Sequence, residues 1–116
     1  MAQAPHGPAL LKLERHPDHW RLIGGPVPPG AAAITIGPVV SVRARAAGNG
    51  RLLRHELVHV RQWRALGPFG FLRRYLAAYL RWRLRGHGHW AAYRRIPLEI
   101  EAEWRARTGD TARGGA

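Results

Sequence analysis

The stretch from Arg51 to Arg85 decides most of what this chain can become. It carries helical periodicity on both sides of one interruption, Gly67-Pro68. In RLLRHELVHVRQWRAL (51–66), Leu52, Leu53, Leu57, Val60 and Leu66 form much of one apolar side, as a helix requires. Gly67-Pro68 stops it, because proline lacks the amide hydrogen and its ring clashes with the preceding turn. PFGFLRRYLAAYLRWRLRG (68–86) predicts a second helix with Leu72, Tyr75, Leu76, Tyr79 and Leu80 as its apolar stripe. Arg73, Arg74, Arg81 and Arg85 fall mostly off that stripe. The stripe is expected to cover the back of the first helix and leave its arginines in water.

The flanks complete an α+β domain. GGPVPPG (24–30) is a stiff loop, and ITIGPVVSVRAR (34–45) alternates around Gly37-Pro38 as two short strands or a bent hairpin. GNG (48–50) is a turn, and GHGHW (86–90) is expected to be a loop. From Tyr93 the sequence leads into a third helix, with Pro97 in its first turn and Thr108-Gly109 at its end. Residues 1–18 and 108–116, poor in core-forming residues, are expected to be flexible tails around one domain over 19–107.

Composition narrows the chemistry. The chain has no cysteine, so disulfides and thiolate metal sites are excluded and any metal must use His, Asp or Glu. No charged start followed by an apolar run marks a signal peptide, and FGFLRRYLAAYLRW is too short and too broken by Arg73 and Arg74 to span a bilayer. A cytoplasmic location is the expectation. Eighteen of the nineteen basic residues are arginines, and the net charge is +12, a field that favours acidic partners. The acids are sparse and placed. Between Asp18 and Asp110 only Glu56, Glu99, Glu101 and Glu103 occur.

One of those acids lies inside His55-Glu56-x-x-His59. Residues four apart on a helix sit one above the other, so both imidazoles can reach one zinc. Glu56 then lies beside the metal, where it can take a proton from the bound water as general base. A third ligand is needed. The candidates are Glu99 or Glu103 on the PLEIEAEW helix, or His87 or His89 in the GHGH loop. Glu99 is preferred on charge. Glu101 and Glu103 each have an arginine four residues on, whereas Glu99 has Glu103 there, a repulsive pairing that a cation in front of Glu99 would relieve. Glu103 is then suited to accept the Nδ1–H of a ligand histidine, and Glu101 is expected to point away as a salt-bridge residue.

His-Glu-x-x-His followed by a helix bearing Glu99-x-x-Ala102, with an acid at 103, resembles the gluzincin zinc peptidases in their minimal one-domain form. The string HELVHVRQW…YRRIPLEIEAEW is also similar to small bacterial His-Glu-x-x-His domain proteins, over about residues 34 to 107. Gln62 and Ala65 stand where a metzincin-type motif needs Gly and His. The resemblance implies a small zincin-like fold with His55, His59 and Glu99 as zinc ligands, Glu56 as base and Glu103 behind a ligand histidine. It also implies an oxyanion-stabilising His or Tyr, for which Tyr93, His87 and His89 are candidates. The expected activity is hydrolysis of a peptide bond in a peptide or protein substrate. The chain has no room for the second subdomain of the larger enzymes, which points to narrow specificity or a protein partner completing the cleft. The strand Val39–Arg43 is a candidate edge for an extended substrate.

Two other readings compete. In one, zinc only ties the helices together, although such a site has no use for Glu56. In the other, the basic, aromatic helix 69–85 binds an anionic membrane. Nucleic acid rests on charge alone, since no recognition module is visible.

Overall fold

The structure is a computed structural model that describes residues 11–109. A four-stranded sheet packs against the longest of three helices, and the other two helices pack on that same helix. The strands are β1 (Lys12–Arg15), β2 (Trp20–Ile23), β3 (Ala33–Ile36) and β4 (Val39–Val42), in the order β1-β2-β4-β3. The helices are α1 (Gly50–Leu84), α2 (His89–Tyr93) and α3 (Pro97–Thr108), and a single 3-10 turn, Ala44–Ala46, leads into α1. The fold is α+β, as the sequence predicts.

Gly37 and Pro38 make the β3–β4 hairpin, with Thr35 opposite Val40 and Ala33 opposite Val42. Alternation puts these four on one face, and Val40 and Val42 are fully enclosed there. β4 lies inside the sheet, parallel to β2 and antiparallel to β3. The expected edge at Val39–Arg43 is therefore corrected: β3, not β4, is the edge strand on that side. The Arg43 guanidinium donates to the carbonyls of Val27, Pro28 and Ala31, which holds the proline-rich loop against the sheet.

β1 corrects the expected N-terminal tail over 1–18. Lys12–Arg15 pairs antiparallel with Trp20–Ile23, and His19 behind it is buried. Residues 1–10 and 110–116, which make up the rest of both expected tails, lie outside the described residues. At the other end α3 reaches Thr108, and Gly109 closes it at φ 76°, a left-handed C-cap that favours glycine.

α1 is one helical run of 35 residues with a single non-helical position, Gly67, at φ 75° and ψ 165°. Only glycine adopts that region at low cost, and Pro68 then sits in the first turn of the second arm, where its missing amide hydrogen is harmless. Asn49 caps the start by accepting from the Leu52 amide at 3.1 Å. The first arm (50–66) is sandwiched between the sheet and α3. Burial therefore takes in Glu56, Val58, His59, Val60 and Gln62, not only the apolar side that periodicity marks. The second arm (68–84) departs further from expectation. Phe71 is buried, but Leu72, Leu76 and Leu80 are exposed, so the predicted stripe does not cover the first helix. α2 occupies part of the expected GHGHW loop, beginning at His89.

Candidate metal centre

Two elements from distant parts of the chain build the centre. The first arm of α1 presents His55 and His59 one turn apart, and α3 lies across it and presents Glu99. The Arg54 guanidinium donates to the Ala106 carbonyl at 3.0 Å and ties the two helices together. Ala102 and Ala106, both fully buried, let them approach closely. His59 and Glu99 are buried, and His55 is nearly so.

The Nε2 atoms of both histidines converge on Glu99 Oε1, at 2.8 Å from His55 and 3.0 Å from His59. One ligand atom from each of the three residues lies within 4.8 Å of the others, the only such grouping of three or more among the described residues. Tetrahedral bonds of about 2.0–2.1 Å place ligand atoms about 3.3 Å apart. Two imidazoles and a carboxylate at this spacing can hold a metal ion, and the donor set is one that zinc accepts.

The outer nitrogens of both rings are also held. His55 Nδ1 faces Glu103 Oε1 at 3.2 Å, and Glu103 is itself paired with Arg51. His55 thus lies between Glu99 and Glu103 and separates their charges. His59 Nδ1 faces Gln62 Oε1 at 2.8 Å. The Gln62 amide nitrogen donates to the Leu98 carbonyl at 3.0 Å and to Glu101 Oε1 at 2.7 Å. Both amide hydrogens are thereby used, so the oxygen must face His59 and accept from Nδ1–H. Without a metal, Nε2 also carries a hydrogen toward Glu99, and in the neutral ring the one remaining hydrogen is the one on Nδ1. That neutral form presents the Nε2 lone pair, the tautomer a ligand histidine needs.

Glu56 sits beside this group, buried, with its Oε1 accepting from the Thr35 hydroxyl at 2.7 Å. The same hydroxyl approaches the Glu56 carbonyl at 3.3 Å. The base candidate is therefore aimed by edge strand β3. Tyr93 from α2 donates to Glu99 Oε1 at 3.0 Å, and Tyr75 from the second arm of α1 donates to Glu99 Oε2. Phe71 closes the wall, edge-on to His59 and stacked on Trp63 and Tyr75.

Electrostatics follow from this crowding. Burial works to raise the Glu99 carboxyl, but hydrogen bonds from His55, His59 and Tyr75 outweigh it and hold the group well below the usual carboxylate range. For His59, burial disfavours the charged ring, while the Glu99 hydrogen bond and the charges of Glu99 and Glu56 prevail and raise its pKa. Burial and the Glu99 charge push both Tyr75 and Tyr93 far above the ordinary phenol value, so both remain neutral donors. Two buried carboxylates, Glu56 and Glu99, thus stand against two imidazoles, and buried charges of this kind need a counter-charge beside them.

His55, Glu56, His59, Tyr93, Glu99 and Glu103 thus meet in one place. His87 and His89 do not. His87 lies edge-on to Trp82, and His89 Nδ1 is 3.0 Å from the Tyr79 hydroxyl. Glu101 is paired with Arg105 as expected, at 3.1 Å, but it also orients Gln62. Sequence reasoning missed Thr35, Gln62 and Tyr75. Gln62 had a signal, three residues past His59 on the same helical side. Thr35 and Tyr75 had none, since their partners lie 21 and 24 residues away. No protein-family model, curated protein or solved structure matches this chain.

Proposed function

We propose that this chain is a zinc-dependent metallopeptidase-like protein of gluzincin type, with His55, His59 and Glu99 as ligands and Glu56 as general base. The observation that carries the reading is the pairing of a three-residue ligand set with a buried glutamate that serves no ligand role. Glu56 is held instead by Thr35 at 2.7 Å. A purely structural metal site has no use for such a group.

Zinc held there would supply a Lewis acid and a water of lowered pKa. The residues of the chain would do the rest. Glu56 takes the proton of the attacking water and returns it to the leaving amine. Thr35 keeps the Glu56 carboxylate aimed while it does so. Gln62 and Glu103 keep the two imidazoles turned. Tyr93, and beside it Tyr75, are neutral hydroxyl donors able to turn from Glu99 toward a carbonyl oxygen as it gains charge. An extended peptide has a place to lie along the free edge of β3, the strand that carries Thr35, by strand addition.

The test is Glu56→Gln, assayed on a pool of unstructured peptides with metal content measured alongside. The substitution should leave metal bound and lower cleavage by about a hundredfold or more. Cleavage equal to that of the unmodified protein would remove Glu56 from the mechanism.

A further inference from the structure

The second arm of α1 carries a feature unrelated to the metal centre. Phe69 and Leu84 are 87% and 86% exposed, and Leu72, Leu76 and Leu80 are between 42% and 55% exposed. Leu72, Leu76, Leu80 and Leu84 follow one another at four-residue steps, so they form one continuous apolar stripe along the helix. A shallow depression lined by Phe69, Leu72, Arg73 and Leu76 lies at its start. A continuous exposed stripe of this kind marks an interaction surface.

Charge narrows the partner. Every charged residue between Glu56 and Glu99 is an arginine. Arg73 and Arg83 stand three and seven residues from Leu76 and Leu80, so they share the leucine face. Arg83 donates to the Tyr79 hydroxyl at 2.9 Å and lies over its ring, beside the stripe. The Arg73 stem can lie on the stripe while its guanidinium reaches outward, and both charges are at the exposed surface. A second copy of the chain would bring the same arginines and the same +12 charge against this face, and like charges oppose that contact. A nucleic-acid backbone offers nothing to five hydrocarbon side chains. An anionic bilayer offers both a phosphate layer for the arginines and an acyl boundary for the leucines. No helix among the described residues is long and apolar enough to cross a membrane, so such a helix would lie in the plane of the surface.

We propose that the Phe69–Leu84 face docks the protein on an anionic lipid surface. The experiment is co-sedimentation of the full chain with phosphatidylcholine vesicles, with and without phosphatidylglycerol. Two variants are compared: Leu72→Gln/Leu76→Gln/Leu80→Gln, which removes the apolar stripe without changing charge, and Arg73→Gln/Arg83→Gln. The unmodified protein should bind only the phosphatidylglycerol vesicles, and each variant should bind them about tenfold more weakly or worse. Circular dichroism of both variants should match the original, since the altered side chains lie on the surface. Full binding by the leucine variant would mean that charge alone acts, and would overturn the proposal. So would absence of vesicle binding by the unmodified protein, or a solution dimer that the leucine variant dissolves. Glu56→Gln should bind vesicles normally, so failure of the peptidase reading leaves this result untouched.

Discussion

The two arms of α1 are one helical run divided at Gly67, and they invert each other's logic. The first arm buries Glu56, His59 and Gln62; the second leaves Leu72, Leu76 and Leu80 in the open. Both departures are costly unless something answers them. Buried polar groups need partners, and an exposed apolar stripe needs a surface. In the first arm the partners are present in the chain: Thr35 for Glu56, Glu99 and Gln62 for His59, and the Leu98 carbonyl and Glu101 for Gln62. The second arm has no such cover among the described residues. Each of the two proposals thus rests on a departure from simple amphipathicity, one answered inside the chain and one facing outward.

The comparison breaks most visibly at Glu99. Removing one member of a buried, hydrogen-bonded group leaves the others uncompensated, which costs about 3–5 kcal/mol. Glu99→Ala in metal-free protein should therefore lower unfolding free energy in urea by about that amount. Next comes Gln62→Leu. It removes the group that fixes the His59 tautomer while keeping side-chain bulk, and should weaken metal affinity by about 10–100-fold in a competition titration with a chelator. Gly67→Ala tests the hinge between the arms. The φ of 75° and ψ of 165° are unfavourable to any side chain, and the expected loss is about 1–3 kcal/mol by the same urea measurement. At the small end, the triple leucine-to-glutamine variant of the second arm should change stability by less than about 0.5 kcal/mol per site. A large loss there would mean that the stripe covers a core after all.

Periodicity identified the β3–β4 hairpin and the limits of α3, because Gly37-Pro38, Pro97 and Gly109 punctuate the chain chemically. It also located the break in α1 at Gly67-Pro68. It could not say which side of each arm faces inward. The first arm lies between the sheet and α3 and is buried on more than one side. The second arm turns Phe71 and Tyr75 toward the centre and leaves its leucines on the outer side. β1 and β2 escaped because four-residue strands such as KLER and WRLI carry charge and bury little. In the centre, the residues that converge were legible from their spacing and from the scarcity of acids, since a chain with four interior glutamates places each for a reason. The residues that aim them were less so. Thr35 reaches Glu56 across the sheet–helix interface, and Tyr75, past the break at Gly67, reaches Glu99 on α3. Contacts of that kind are products of the tertiary fold and leave no mark on local pattern.

The measurement that tests the central claim most directly is zinc per chain by elemental analysis, after supply of zinc at neutral pH and removal of excess. Unmodified protein and Glu99→Ala are compared, with circular dichroism confirming that both are folded. The account predicts about one zinc per chain in the first and little or none in the second. No bound zinc in the unmodified protein, or equal zinc in both, would contradict a centre built from His55, His59 and Glu99.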